Sequence, residues 1–215
     1  MKFKLKYEIF PLLAILATIV FAFYFYANAP RQVPTHWNIH GQVDDYSSKA
    51  FAAIFFPALI LGMYFLFWLL PKIDPKRERY AKFARVYGLF RTAIVLFFVL
   101  MFFASSLAAL GYNINISRIV PAGVGLLLIL LGNYMGKIKS NWFVGIRTPW
   151  TLSSETVWQK THRLGGWLFV FAGLYMLAGV FWSILWGQGT IFVIIIIIAL
   201  MPIVYSYLLY KKEKK

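Results

Sequence analysis

Along this chain, long unbroken apolar runs alternate with short polar or basic stretches. A helix needs about 20 apolar residues to cross a hydrocarbon core of ~30 Å. Six runs qualify, at about residues 9–29, 51–70, 89–111, 119–135, 164–186 and 191–210. They do not alternate apolar with polar as barrel strands do, and they are about twice a barrel strand's length. The pattern predicts an all-α fold: a polytopic bundle of six transmembrane helices forming one membrane domain over residues 1–215.

Composition sharpens this picture. Hydrophobic residues make up 61% of the chain and charged residues 13%. A soluble domain averages roughly half apolar and about a quarter charged. The chain has no cysteine, which excludes a disulfide framework and a thiol nucleophile. The first span follows a basic start, and Ala27-Asn28-Ala29 has the form of a signal-peptidase site. Its apolar run exceeds the usual 7–15 residues of a signal peptide, and Pro30 follows the scissile position. The expectation is a retained helix.

The net charge is +15. In a soluble chain that excess suggests nucleic acid; here its placement points to a membrane. With the N-terminus inside, 19 of the 22 Lys and Arg fall on the inner side, and only Arg31, Lys49 and Arg118 fall outside. The positive-inside rule then predicts cytoplasmic N and C termini. Residues 30–50 become an extracellular loop, and 71–88 and 137–163 become cytoplasmic loops. The basic excess reflects orientation and contact with the lipid bilayer, not nucleic acid binding.

The outer loop reads PRQVPTHWNIHGQVDDYSSKA. Pro30 and Pro34 favour an extended path, while His40-Gly41 and Asp44-Asp45 offer turn chemistry. His36, His40, Asp44 and Asp45 are potential zinc ligands, but without Cys or Glu partners the expectation is no metal. These side chains then either hydrogen-bond the loop to itself or contact a ligand. Residues 71–88 place Tyr80, Phe83, Val86 and Tyr87 on one stripe flanked by basic residues, the pattern of an amphipathic helix at the membrane surface. In residues 137–163, Ser153 is the expected N-cap of a helix entering the fifth span, with Glu155 in its first turn. Val157, Trp158, Thr161 and Leu164 share one face of that helix. Arg147, His162 and Arg163 either converge on an anion or, in Arg147's case, pin the loop to backbone carbonyls.

Polar residues inside the spans are few: Asn133, Ser105 and Ser106. No ionised residue falls mid-span, which argues against an ion-driven transporter. Gly132 and Gly136, with Gly125 one heptad earlier, suit close helix packing. There is no G-x-S-x-G, P-loop, H-E-x-x-H or G-x-G-x-x-G motif. Glu155 and His162 are the only acid and His within one short segment. The reading is a non-enzyme without a cofactor.

Two segments carry a family resemblance. Pro30, Pro34-Thr35-His36-Trp37-Asn38, Gly41, Asp44 and Lys49 resemble a short N-terminal domain of unknown function found in bacterial membrane proteins. Asn141-Trp142-Phe143, Gly145-Ile146-Arg147-Thr148-Pro149-Trp150-Thr151-Leu152-Ser153, Trp158, Thr161-His162-Arg163 and Gly165-Gly166 resemble the signature of the SdpI family. The resemblance implies an integral membrane protein conferring immunity to a secreted, membrane-active toxin peptide. It also implies, as an alternative, a receptor that sequesters a cytosolic transcriptional repressor. A third reading is a lipid-binding envelope homeostasis protein. On the immunity reading, Pro34, His36, Trp37, Asn38 and Asp44 are the candidate toxin contacts. Asn141, Gly145, Arg147, Thr148, Pro149, Trp158, His162 and Arg163 form the inner-loop signature.

Overall fold

A computed structural model describes residues 8–38, 41–182 and 188–214. The element order is α1 (Ile9–Asn28), β1 (Gln32–Trp37), β2 (Val43–Ser48), α2 (Lys49–Ile73), a 3₁₀ segment (Arg77–Phe83), α3 (Ala84–Ala109), α4 (Ile116–Met135), α5 (Pro149–Ser153), α6 (Glu155–Phe181) and α7 (Gln188–Glu213). Among the described residues, six helices are long and apolar enough to cross a membrane. The all-α class stands, with one antiparallel β-hairpin added to it. Lys2, Lys4, Lys6, His40 and the end of the fifth predicted span at Trp186 lie outside the described residues.

The helices are built for an apolar solvent. Large apolar side chains such as Phe10, Leu13, Leu16, Val20 and Phe23 point outward along α1. In α7 only 11% of the most apolar window is buried. In water this exposure would be untenable, because a soluble monomer rarely shows apolar patches beyond a few hundred Å²; in lipid it is the expected surface.

The chain divides into two compact units. The first, the hairpin unit, comprises the described residues up to Phe67 together with Arg91–Gly123. Its core alternates small and large side chains at helical spacing: Ile15 and Ala22 on α1, Ile60 and Tyr64 on α2, Val95 and Phe102 on α3. Phe21 stacks on Phe103 with centroids 4.5 Å apart. Val33 of β1 packs with Phe25, Ala29, Ala52 and Ala53, which seats the hairpin on the ends of α1 and α2.

The second, the signature unit, comprises Trp68–Phe90 and the chain from Val124 onward. Here α4 and α6 approach to backbone contact. A Cβ on Gly132 would lie 2.6 Å from the Gly166 oxygen, and one on Gly173 would lie 2.5 Å from the Gly125 oxygen. The two glycine pairs run in opposite order along the two helices, as an antiparallel crossing requires. The packing expected of Gly125 and Gly132 is present; Gly136, whose Cβ would meet only the Arg163 Cα at 3.9 Å, is not part of the close crossing.

Several local expectations need correction. Tyr80, Phe83 and Tyr87 do not lie on a membrane surface; all three are buried and pack ring against ring. Their stripe was apolar because it faces protein, not lipid. The helix entering the fifth span is continuous from Glu155, and its cap is Ser154, whose hydroxyl accepts from the Val157 N–H. Ser153 instead bonds back to the Pro149 carbonyl. Asp44 and Asp45 lie within β2, and the turn falls at Asn38–Gln42. Arg91, assigned by sequence to the basic surface, is buried in an ion pair with Glu8.

Candidate functional site

The five outer-loop candidates sit on the hairpin. Pro34 pairs with Tyr46, His36 with Asp45, and Trp37 with Val43, with irregular register between Pro34 and Trp37. His36 Nδ1 and Asp44 Oδ1 are 2.5 Å apart, and both side chains are exposed. Asn38 shapes the turn: its Oδ1 accepts from the Gln42 N–H at 3.0 Å, and its Nδ2 donates to Gln42 Oε1 at 3.2 Å. Gly41 follows with φ +75°, and a Cβ there would fall 1.6 Å from Ser117 Oγ. The turn therefore requires glycine twice over, for its backbone angle and for its close approach to the start of α4. Among the described residues no group of three or more His, Cys, Asp or Glu is placed to hold a metal ion.

The signature loop is a hydrogen-bonded knot around Asn141. Its buried carboxamide accepts from the Phe143 and Val144 N–H groups at 2.9 and 2.7 Å, and donates to the Lys139 and Val144 carbonyls, both at 2.9 Å. An amide offers two donors and two acceptor directions, so the side chain is fully used. Next to it lies Asp74, also buried. Its carboxylate accepts from the Lys76 N–H at 2.7 Å, the Tyr80 hydroxyl at 2.9 Å and the Trp142 N–H at 3.0 Å. Lys76 Nζ donates to Ser140 Oγ at 2.9 Å. Burial pushes the Lys76 ammonium below its usual range, Arg79 adds to the fall, and Asp74 opposes it.

The other end of the loop is set by α6. The Ile146 N–H donates to His162 Nε2 at 2.9 Å, so the ring proton sits on Nδ1 and reaches the Trp158 carbonyl at 2.8 Å. The two rings stack at 4.0 Å, and Trp158 Nε1 donates to the Ile138 carbonyl at 2.8 Å. Gly145 has φ +113°, and a Cβ there would be 2.2 Å from His162 Nε2. Arg147 Nη1 donates to the Trp142 carbonyl at 2.7 Å. Thr148 caps α5 in a reciprocal box with Thr151, Pro149 takes the first helical turn, and Thr148 Oγ1 meets Ser206 Oγ of α7 at 3.0 Å.

Of the eight inner-loop candidates, seven join this one constellation; Arg163 is exposed and apart from it. The anion-binding alternative fails at His162, whose two nitrogens are both engaged with backbone. Glu155 and His162 do not form an acid–base pair either, since Glu155 pairs with Arg79. Sequence reasoning missed Asp74, Tyr80 and Ser206. The one available signal was Asp74 itself, an acid directly before Pro75 in a basic segment.

Residues 137–206, which contain the knot, α5, α6 and most of α7, match the model of the SdpI/YfhL protein family. Residues 13–61, which contain the hairpin, match a domain of unknown function, DUF1648. Over 211 residues the chain is 26% identical to the immunity protein SdpI of Bacillus subtilis (strain 168), covering 98% of each chain. No solved structure matches the chain. The SdpI-family signature read from the sequence is thus supported by the match, and with six apolar helices the chain is a multi-pass bacterial membrane protein. The relative is named for immunity and not for an enzymatic activity.

Proposed function

We propose that this chain is a membrane immunity protein that protects its cell against a secreted, membrane-active peptide by binding it, without catalysis. The observation that carries the reading is similarity along nearly the whole length of both chains to a protein named for immunity. The toxin engages the hairpin around Pro34, His36, Trp37, Asn38 and Asp44, on the outer face. Two features support that surface. The hairpin is held in shape by its own turn and by Val33, so its exposed side chains are presented in fixed positions. The hairpin also packs through Val33 on Phe25 and Ala29 at the end of α1, where Phe23 and Tyr26 are exposed. The N and C termini are cytoplasmic on this reading, which the distribution of Lys and Arg supports. Replacing His36 and Trp37 together by Ala, at unchanged protein level, removes protection; intact protection would contradict the hairpin assignment.

A second reading, a receptor that sequesters a cytosolic repressor, draws on Trp142. Its ring is exposed on a loop whose backbone is tied down at Asn141 and Asp74. On that reading Trp142→Ala abolishes a transcriptional response while protection survives.

A further inference from the structure

The hairpin unit contains a second buried polar cluster, remote in sequence from the hairpin and from the signature. Glu8, at the start of α1, is 4% exposed, and Arg91 of α3 is 1% exposed. Arg91 Nη2 donates to Glu8 Oε1, and the Tyr64 hydroxyl of α2 donates to Glu8 Oε2 at 2.9 Å. The guanidinium also lies 5.4 Å from the Tyr64 ring centroid.

The cluster is unbalanced. An arginine carries five N–H donors, and one carboxylate bond leaves most of them over. Nε and Nη1 of Arg91 are buried and have no hydrogen-bond partner among the described residues. Unmet buried donors on a charged group are costly, and a half-satisfied ion pair is a poor source of stability. Glu8 therefore fits the cation in charge but not in number of acceptors. A phosphate, with more acceptor oxygens and the geometry that arginine recognises, would use the donors that the carboxylate leaves idle.

Depth narrows the source of the phosphate. Arg91 precedes the hairpin-side end of α3 at Ala109 by 18 residues, about 27 Å at 1.5 Å per residue. Glu8 precedes the end of α1 at Asn28 by 20 residues, about 30 Å. With a hydrocarbon core of ~30 Å, the cluster lies at the headgroup level of the leaflet opposite the hairpin.

We propose that Arg91, with the Tyr64 hydroxyl, is a phosphate site for an anionic phospholipid headgroup, and that Glu8 is its intramolecular occupant. The lipid phosphate and the Glu8 carboxylate compete for the same donors. Binding of lipid releases the start of α1 from α2 and α3. The proposal goes beyond the immunity reading and does not depend on it.

The test uses purified full-length protein in detergent with added phosphatidylglycerol, and counts bound lipid by native mass spectrometry. Glu8→Gln removes the competing charge and raises phosphatidylglycerol binding roughly tenfold, the worth of one charged hydrogen bond. Adding Arg91→Gln to that variant returns binding to the wild-type level. Unchanged binding in Glu8→Gln, or a gain that survives Arg91→Gln, overturns the site. If Glu8→Gln does not accumulate, Glu8→Asp shortens the competing side chain and weakens its hold on Arg91 without removing charge. It then gives a smaller gain if the proposal holds and none if it fails. Inorganic phosphate at millimolar concentration separates the two sources: retention of the added lipid supports a headgroup site, whereas displacement of the lipid by the free ion overturns the lipid assignment.

Discussion

The most exacting positions are those where one residue type alone fits. Gly145 is one, because its φ of +113° and its contact with His162 both exclude a side chain. Gly145→Ala is expected to lower stability by at least about 2 kcal/mol, combining left-handed strain with a displaced buried ring. Gly62 of α2 provides the control: a Cβ there meets nothing within 4 Å, and Gly62→Ala should stabilise the helix by about 0.5–1 kcal/mol. Thermal unfolding of both variants in detergent checks the contrast. Asp74→Ala leaves the Trp142 N–H without its acceptor and the Tyr80 hydroxyl with only Asn141 Oδ1 at 3.3 Å, at about 1–3 kcal/mol for a buried orphan. The expected readout is faster proteolysis within residues 137–147, with the helices still formed. Among these residues the signature was legible, because Asn141, Gly145, Thr148 and Pro149 are all turn or cap formers close together in sequence. Asp74 was not. Its partner is a backbone N–H 68 positions away, and no local pattern encodes a long-range bond to the main chain. Glu8 and Arg91 were hidden for the same reason. Each looks like a flanking surface charge until the other is placed beside it.

At the scale of elements, the membrane itself made the helices legible. A span must satisfy its backbone internally and reach across a fixed thickness, so run length alone located all six. What run length does not reveal is which side of a stripe meets protein. Tyr80, Phe83 and Tyr87 have the spacing of a lipid-facing amphipath, yet they are buried. The hairpin was read as an extended loop, since Pro34 argues for extension without indicating that β1 and β2 pair. The closest helix contact was half-visible: Gly125 and Gly132 announce a smooth face on α4, but their partners Gly166 and Gly173 lie on α6. Because backbone meets backbone there, Gly132→Leu should force α4 and α6 apart. Large intrusions into tight packing cost about 1–3 kcal/mol or more, so a fall in melting temperature is expected. Gly136→Leu, outside the close crossing, should change it far less. Equal losses at the two positions would contradict the crossing.

At the scale of the whole molecule, the chain carries its charge where a membrane protein can tolerate it and its apolar surface where lipid can cover it. The 61% hydrophobic composition was enough to assign the medium; function had to come from resemblance, because no residue in the chain advertises chemistry. The account joins an outward hairpin, a rigid signature loop and whole-length similarity to an immunity protein into one claim, protection by binding. Orientation is open to a direct check. Single cysteines placed at Ser48 and at Lys139, in a chain that otherwise has none, should react with a membrane-impermeant reagent in intact cells only at Ser48. The most direct test of the central claim is survival. Cells of a sensitive Gram-positive host expressing the chain are challenged with a secreted, membrane-active toxin peptide, while membrane potential is followed alongside growth. The account predicts that expressing cells keep their potential and grow where empty-vector cells depolarise and die. Depolarisation and death equal to the control, with the protein abundant in the membrane, would contradict it.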